Sequence, residues 1–120
     1  MARGFMANLS APAFLVDRHG VLVFYNEAAE QILGITFAEV GPISAEAWYD
    51  RFEPTGADGQ PVRADELPLG VALSEERPAH GPLCITSAAG HTEEIEATAF
   101  PVIGRGGLSG ALAIFWKAGN

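Results

Sequence analysis

One thiol, three imidazoles and a short run of carboxylates are the groups in this 120-residue chain that could do chemistry. Cys84 is the sole cysteine, so neither a disulfide within the chain nor a cysteine-based zinc cluster can form. It falls in the strand-like run Leu83-Cys84-Ile85, where alternation turns it to the outer face, and an ordinary small strand residue is its expected role. His19 lies in a turn, His80 follows Pro78 ahead of a strand, and His91 opens another strand. That dispersal does not read as a zinc motif, and solvated histidines are expected. Glu93, Glu94 and Glu96 raise general acid–base work, which needs two carboxylates converging on one reacting atom. Alternation instead places Glu94 and Glu96 together on a solvated strand face. Gly104-Arg105-Gly106-Gly107 could cradle a phosphate, but no helix follows it to present amide groups, so it reads as a hairpin turn. Ser10, Ser44, Ser74, Ser87 and Ser109 lack the strand–turn–helix context of a nucleophile elbow. No catalytic set converges, and the expectation is a protein that is not an enzyme.

The net charge of −8 argues against direct binding to nucleic acid, which needs a basic footprint, and against an anionic membrane surface. No apolar run approaches the ~20 residues of a membrane-spanning helix. The opening stretch MARGFMANLSAPAF has no sustained apolar core and is not read as a signal peptide. A lone cysteine fits a reducing compartment, and a cytoplasmic location is expected. The length fits one domain over residues 1–120, with a short N-terminal helix at about residues 4–11 and a core at about 12–117.

The elements that would position these groups follow from turn signals and periodicity. Ala13-Phe14-Leu15-Val16 is apolar and β-prone, Asp17-Arg18-His19-Gly20 is a turn, and Val21 to Tyr25 is a second strand pairing back as a hairpin. Asn26 caps a helix through Leu33, with Glu27 and Glu30 at its positive end and Gly34 as its stop. Gly41-Pro42 breaks an irregular middle, Ser44 caps a short helix through Trp48 and Tyr49, and Glu53 to Pro61 is turn-rich. A further helix is expected at about Asp65 to Glu76, with Pro68 tolerated in its first turn. The period then changes to two. Leu83 to Ser87, Glu93 to Phe100 and about Ser109 to Lys117 read as strands separated by Ala88-Ala89-Gly90 and the glycine-rich turn. Two strands, a block of helices and three strands make an α+β fold: an antiparallel sheet with helices covering one face.

The stretches FLVDRHGVLVFYNEAAEQILG, ADGQPVRADELPLGVAL and HTEEIEATAFPVIGRGGLSGALAIFWK, in that order, resemble the PAS family of sensory and signalling domains and span nearly the whole chain. The resemblance implies a five-stranded antiparallel sheet whose inner face, with the short helices, encloses a pocket. Alternation assigns Leu83, Ile85, Ile95, Ala97, Ala99, Ala111, Ala113 and Phe115 to that face. Tyr25, Ala29 and Leu33 are expected to join the same pocket, with Trp48, Phe52, Leu69 and Leu73 from the covering helices. Tyr25, ending the second strand, has a hydroxyl that could bond a ligand or reach a helix side chain.

A PAS-type flavin photosensor would carry a Gly-x-Asn-Cys-Arg helix motif, which does not appear, and a haem-binding relative would carry an axial histidine in the helix after Asp65, which has none. No cofactor is therefore expected. Trp116 alternates with Phe115 and turns outward; with Leu112 and Ile114 it forms an apolar outer stripe, the mark of a partner surface. In PAS domains that surface packs on the N-terminal helix, here bearing Phe5 and Leu9, or on a second subunit. The resulting expectation is a regulatory module that binds a small apolar ligand, dimerises, or both. The alternative is a ligand-free dimerisation domain with a filled core.

Overall fold

The computed structural model describes residues 10–118. Phe5 and Leu9, and with them the helix expected at about residues 4–11, lie outside the described residues.

Strands β1 (Ala13–Asp17) and β2 (Leu22–Tyr25) form an antiparallel hairpin. Its turn is set by Asp17, whose Oδ1 accepts from the backbone N–H of His19 at 2.8 Å and of Val21 at 3.0 Å. Helix α1 (Glu27–Leu33) follows at once. Asn26 caps it and does more. Its Oδ1 accepts from both Ala29 N and Ala13 N at 3.0 Å, while its Nδ2 donates to the Ala11 carbonyl at 2.9 Å. One buried amide thereby pins the start of β1 to the start of α1. Gly34 ends the helix at φ 79°, a left-handed conformation open to glycine at little cost.

Helix α2 (Phe37–Val40) is a single turn within the stretch expected to be irregular, capped by Thr36. Four residues carry too little periodicity to be read in advance. Helix α3 (Ala45–Phe52) starts at its Ser44 cap and continues past Tyr49, the last residue expected. The helix expected from Asp65 is two pieces: a 3₁₀ turn at Ala64–Glu66, then α4 (Pro68–Glu75). Leu67 is extended (φ −77°, ψ 155°), the conformation that a following proline enforces, so Pro68 opens the helix proper. Gly70 lets the pieces pack: a Cβ there would lie 2.1 Å from the Ala64 carbonyl oxygen.

Strands β3 (Ala79–Thr86), β4 (Thr92–Gly104) and β5 (Gly107–Lys117) complete a five-stranded, fully antiparallel sheet of order β2-β1-β5-β4-β3. β3 begins four residues earlier than expected and takes in His80, Gly81 and Pro82. Cys84 exchanges both backbone hydrogen bonds with Thr55, away from β4, and Pro82 shares its orientation on this edge strand. The missing N–H of Pro82 thus costs no ladder bond. β4 likewise runs past Phe100 through Pro101, whose backbone faces the side where β3 has already ended.

The helices lie on one face of the sheet, and the core forms between them and the inward strand residues. Leu83, Ile85, Ile95, Ala97, Ala99, Ala111, Ala113 and Phe115 are all buried.

Candidate ligand-binding site

The inner face is not filled. A cavity of about 70 Å³ remains between the sheet and the helices. Its floor comes from Leu83 and Ile85 of β3, Ile95 and Ala97 of β4, and Ala113 and Phe115 of β5. The alanines create the depth: Ala97, opposite Phe115, and Ala113, opposite Ala99, leave space that larger side chains would fill. Phe14 of β1 and Leu33 at the end of α1 close one side. Trp48 and Phe52 of α3, Pro54 after it, and Leu67, Pro68 and Leu69 at the start of α4 line the side opposite the sheet.

Aromatic rings frame the cavity. Phe14 makes edge contacts with Trp48 (centroids 5.7 Å, 79° between planes) and with Phe115 (6.2 Å, 78°), and stacks on Tyr25 at 5.6 Å. Trp48 is held by its own hydrogen bond, Nε1 donating to the Gly20 carbonyl at 3.1 Å. That contact ties α3 to the turn between β1 and β2. Tyr49, on the same helix, donates its hydroxyl to the Val62 carbonyl.

Of the residues expected to line the pocket, the structure brings together Leu33, Trp48, Phe52, Leu69, Ile85, Ile95, Ala97, Ala113 and Phe115. Three others stand apart from its lining. Tyr25 is fully buried and donates its hydroxyl to the Ile35 carbonyl at 2.7 Å, which directs it toward the α1–α2 connection. Burial, with Glu30 adding, raises that hydroxyl to a pKa of about 12. Ala29 is buried under α1, and Leu73 packs against the core from the far part of α4. Phe14, Pro54, Leu67 and Pro68 line the cavity without having been expected there. Phe14 was within reach of the hairpin register, which pairs it with Tyr25 and therefore puts both rings on one face.

Flavin and haem, the groups raised by the family resemblance, do not find a matching donor set. No lining residue is His, Cys, Asn, Gln or charged, and the single side chain with a polar atom, Trp48, has its N–H committed. Cys84 faces away from the cavity, with Sγ 4.0 Å from the Ala57 carbonyl. Among the described residues no group of three or more His, Cys, Asp and Glu side chains could hold a metal ion.

The outer face is built differently. Trp116 is 43% exposed and Phe100 41% exposed, with Leu112 and Ile114 half-buried between them. Register sets Leu112 beside both Leu15 and Phe100, so the apolar stripe crosses β1, β5 and β4. His80 is not simply solvated. Its Nδ1 bonds Thr98 Oγ1 at 2.7 Å, its Nε2 bonds Glu96 Oε1 at 3.0 Å, and its ring lies 5.9 Å from that of Trp116.

No family model and no curated protein matches the sequence. Solved structures do match it. The PAS domain of nitrogen regulation protein NR(II) from Vibrio parahaemolyticus is similar with a TM-score of 0.69 at 13% identity, over 98% of this chain and 97% of that one. The PAS domain of an HTR-like protein from Haloarcula marismortui gives 0.68 at 16%, over 97% and 88%. The Rhodobacter sphaeroides LOV protein gives 0.74 at 17%, over 98% and 66%. The chain therefore has the PAS fold.

Proposed function

We propose that this chain is a sensory PAS module of a signalling system, with no catalytic activity of its own, whose state is set by a small apolar ligand in the sheet–helix cavity. The carrying observation is the cavity: it is framed by four aromatic rings and offers almost no polar surface. An apolar occupant gains the burial of its surface there and loses no hydrogen bond. The similar structures come from regulatory proteins, including a two-component sensor histidine kinase, which is the setting this reading supposes. Ligand control requires different affinities for two states. Trp48 offers a physical link, since its ring touches the cavity and its N–H holds the β1–β2 turn.

Exposed Trp116 and Phe100 favour a second role, as a homodimer that pairs through the outer stripe of Leu112, Ile114 and Trp116. This second role would also suffice alone, as a ligand-free dimerisation domain. A cytoplasmic location fits both; among the described residues no helix is long and apolar enough to cross a membrane.

Native mass spectrometry of the purified protein tests the ligand reading. A co-purifying apolar compound, or uptake of one that raises the melting temperature, supports it. A chain that carries and accepts nothing leaves only the dimerisation domain. Size-exclusion chromatography across concentrations tests the dimer, which Trp116→Glu should weaken; an unchanged dimer would sink the proposed interface.

A further inference from the structure

We infer that the cavity selects single-ring aromatic hydrocarbons, an assignment that rests on the ligand-sensing reading and adds the ligand class to it. Three features of the cavity carry it.

The first is the missing hydrogen-bonding capacity. The lining offers no free donor or acceptor side chain, because the Trp48 N–H is spent on Gly20. A hydroxyl, amine or carboxylate carried inside would leave water and find no partner, an unfavourable exchange that a hydrocarbon avoids. The second is the wall. Phe14 meets Trp48 and Phe115 edge-on, at 79° and 78°, and Phe52 adds a fourth ring. A further ring can extend this edge-to-face arrangement, in which the positive rim of one ring meets the negative face of the next; an alkane of similar area gains only dispersion. The third is size. A volume of about 70 Å³ is roughly half that of an engineered apolar cavity that takes up benzene, near 150 Å³. One ring, for which the surrounding side chains must yield, is therefore the upper limit, and fused ring systems are excluded.

The test uses Trp116→Phe, which leaves Trp48 as the sole tryptophan, at the cavity wall. Toluene, n-hexane and hydroquinone are titrated against Trp48 emission, with calorimetry as a second readout. Hydroquinone has a hydroxyl at each end, so one must enter whichever way it binds. Toluene should bind about threefold or more tighter than n-hexane. It should bind at least about tenfold tighter than hydroquinone. Ala113→Val and Ala97→Val, which fill the floor, should each weaken toluene while the fold persists. Hydroquinone or n-hexane binding as tightly as toluene overturns the assignment to arenes and leaves ligand sensing standing. Failure of all three probes, with a different compound found by native mass spectrometry, does the same. Failure of all three with an empty, unresponsive chain overturns both.

Discussion

On its inner face the three-strand half of the sheet carries Leu83, Ile85, Ile95, Ala97, Ala113 and Phe115, all buried; on its outer face the same strands carry His80, Glu96, Thr98 and Trp116, all partly or largely exposed. The two sets interleave residue by residue along the same backbone. What separates them is the pleat alone, which sends successive side chains to opposite sides. The inner set is wholly apolar, and its energy comes from removing surface from water. On the outside, the contacts are cross-strand pairs, His80 with Thr98 and Glu96, which remain in water and are worth correspondingly little. The inner face therefore decides whether the chain folds, and the outer face is free to carry a partner surface.

The sharpest way to break that comparison is Phe115→Ala. Phe115 is 4% exposed, touches Phe14 and borders the cavity, so truncation enlarges a void that the surroundings already leave partly open. A loss of about 3–5 kcal/mol in urea unfolding is expected. Asn26→Ala comes next. It removes one acceptor from Ala13 N and Ala29 N and one donor from the Ala11 carbonyl, in a site that is 1% exposed. About 2–3 kcal/mol should be lost by the same measurement, showing that the fold also depends on a buried polar joint.

Tyr25→Phe should cost about 1 kcal/mol near neutral pH, from the lost hydrogen bond to the Ile35 carbonyl. Its pH dependence tests the burial directly. The folded-state hydroxyl is raised to about 12, chiefly by desolvation, whereas the unfolded chain ionises near its ordinary value of 10. The neutral hydroxyl binds its proton more tightly in the fold, so the stabilisation is complete below pH 10 and is lost as the pH rises toward 12. Urea midpoints at increasing pH should show wild type falling toward Tyr25→Phe across that window. Parallel curves would mean that the Tyr25 hydroxyl already reaches water.

How much of this was legible in the sequence depended on how much of the cause was local. Strict alternation from Glu94 to Ala99 disclosed the two faces of β4, because period two is a property of the strand itself. The Asn26 cap and the Gly34 stop were legible for the same reason. Ala13 to Val16 is apolar throughout, so periodicity could not say that Phe14 faces the cavity; the pairing with Tyr25 decides it. Pro54, Leu67 and Pro68 reach the cavity through the path of loops, which no local pattern encodes. His80, which follows Pro78, lies within β3 and not ahead of it, because the place of β3 on the sheet edge makes Pro82 harmless inside the strand. The family resemblance points Tyr25 to the cavity and the covering helix points Leu73 there; the hydroxyl's bond to Ile35 and the far position on α4 take them elsewhere.

The smallest expected effect is the one that isolates the outer face. Trp116 follows Phe115 directly, is larger, and is 43% exposed where its neighbour is 4% exposed. Its described ring contact is with His80, itself half in water, so truncation opens no void in the core. Trp116→Ala, measured at a concentration where the chain is monomeric, should change unfolding stability by less than about 1 kcal/mol, several times less than Phe115→Ala. Repeating the measurement at concentrations that favour self-association should widen the gap between Trp116→Ala and wild type, since a partner that binds only the folded chain stabilises it by mass action. A monomer loss as large as that of Phe115→Ala would make Trp116 part of the core, and the outer stripe would no longer be a surface left free for a second subunit.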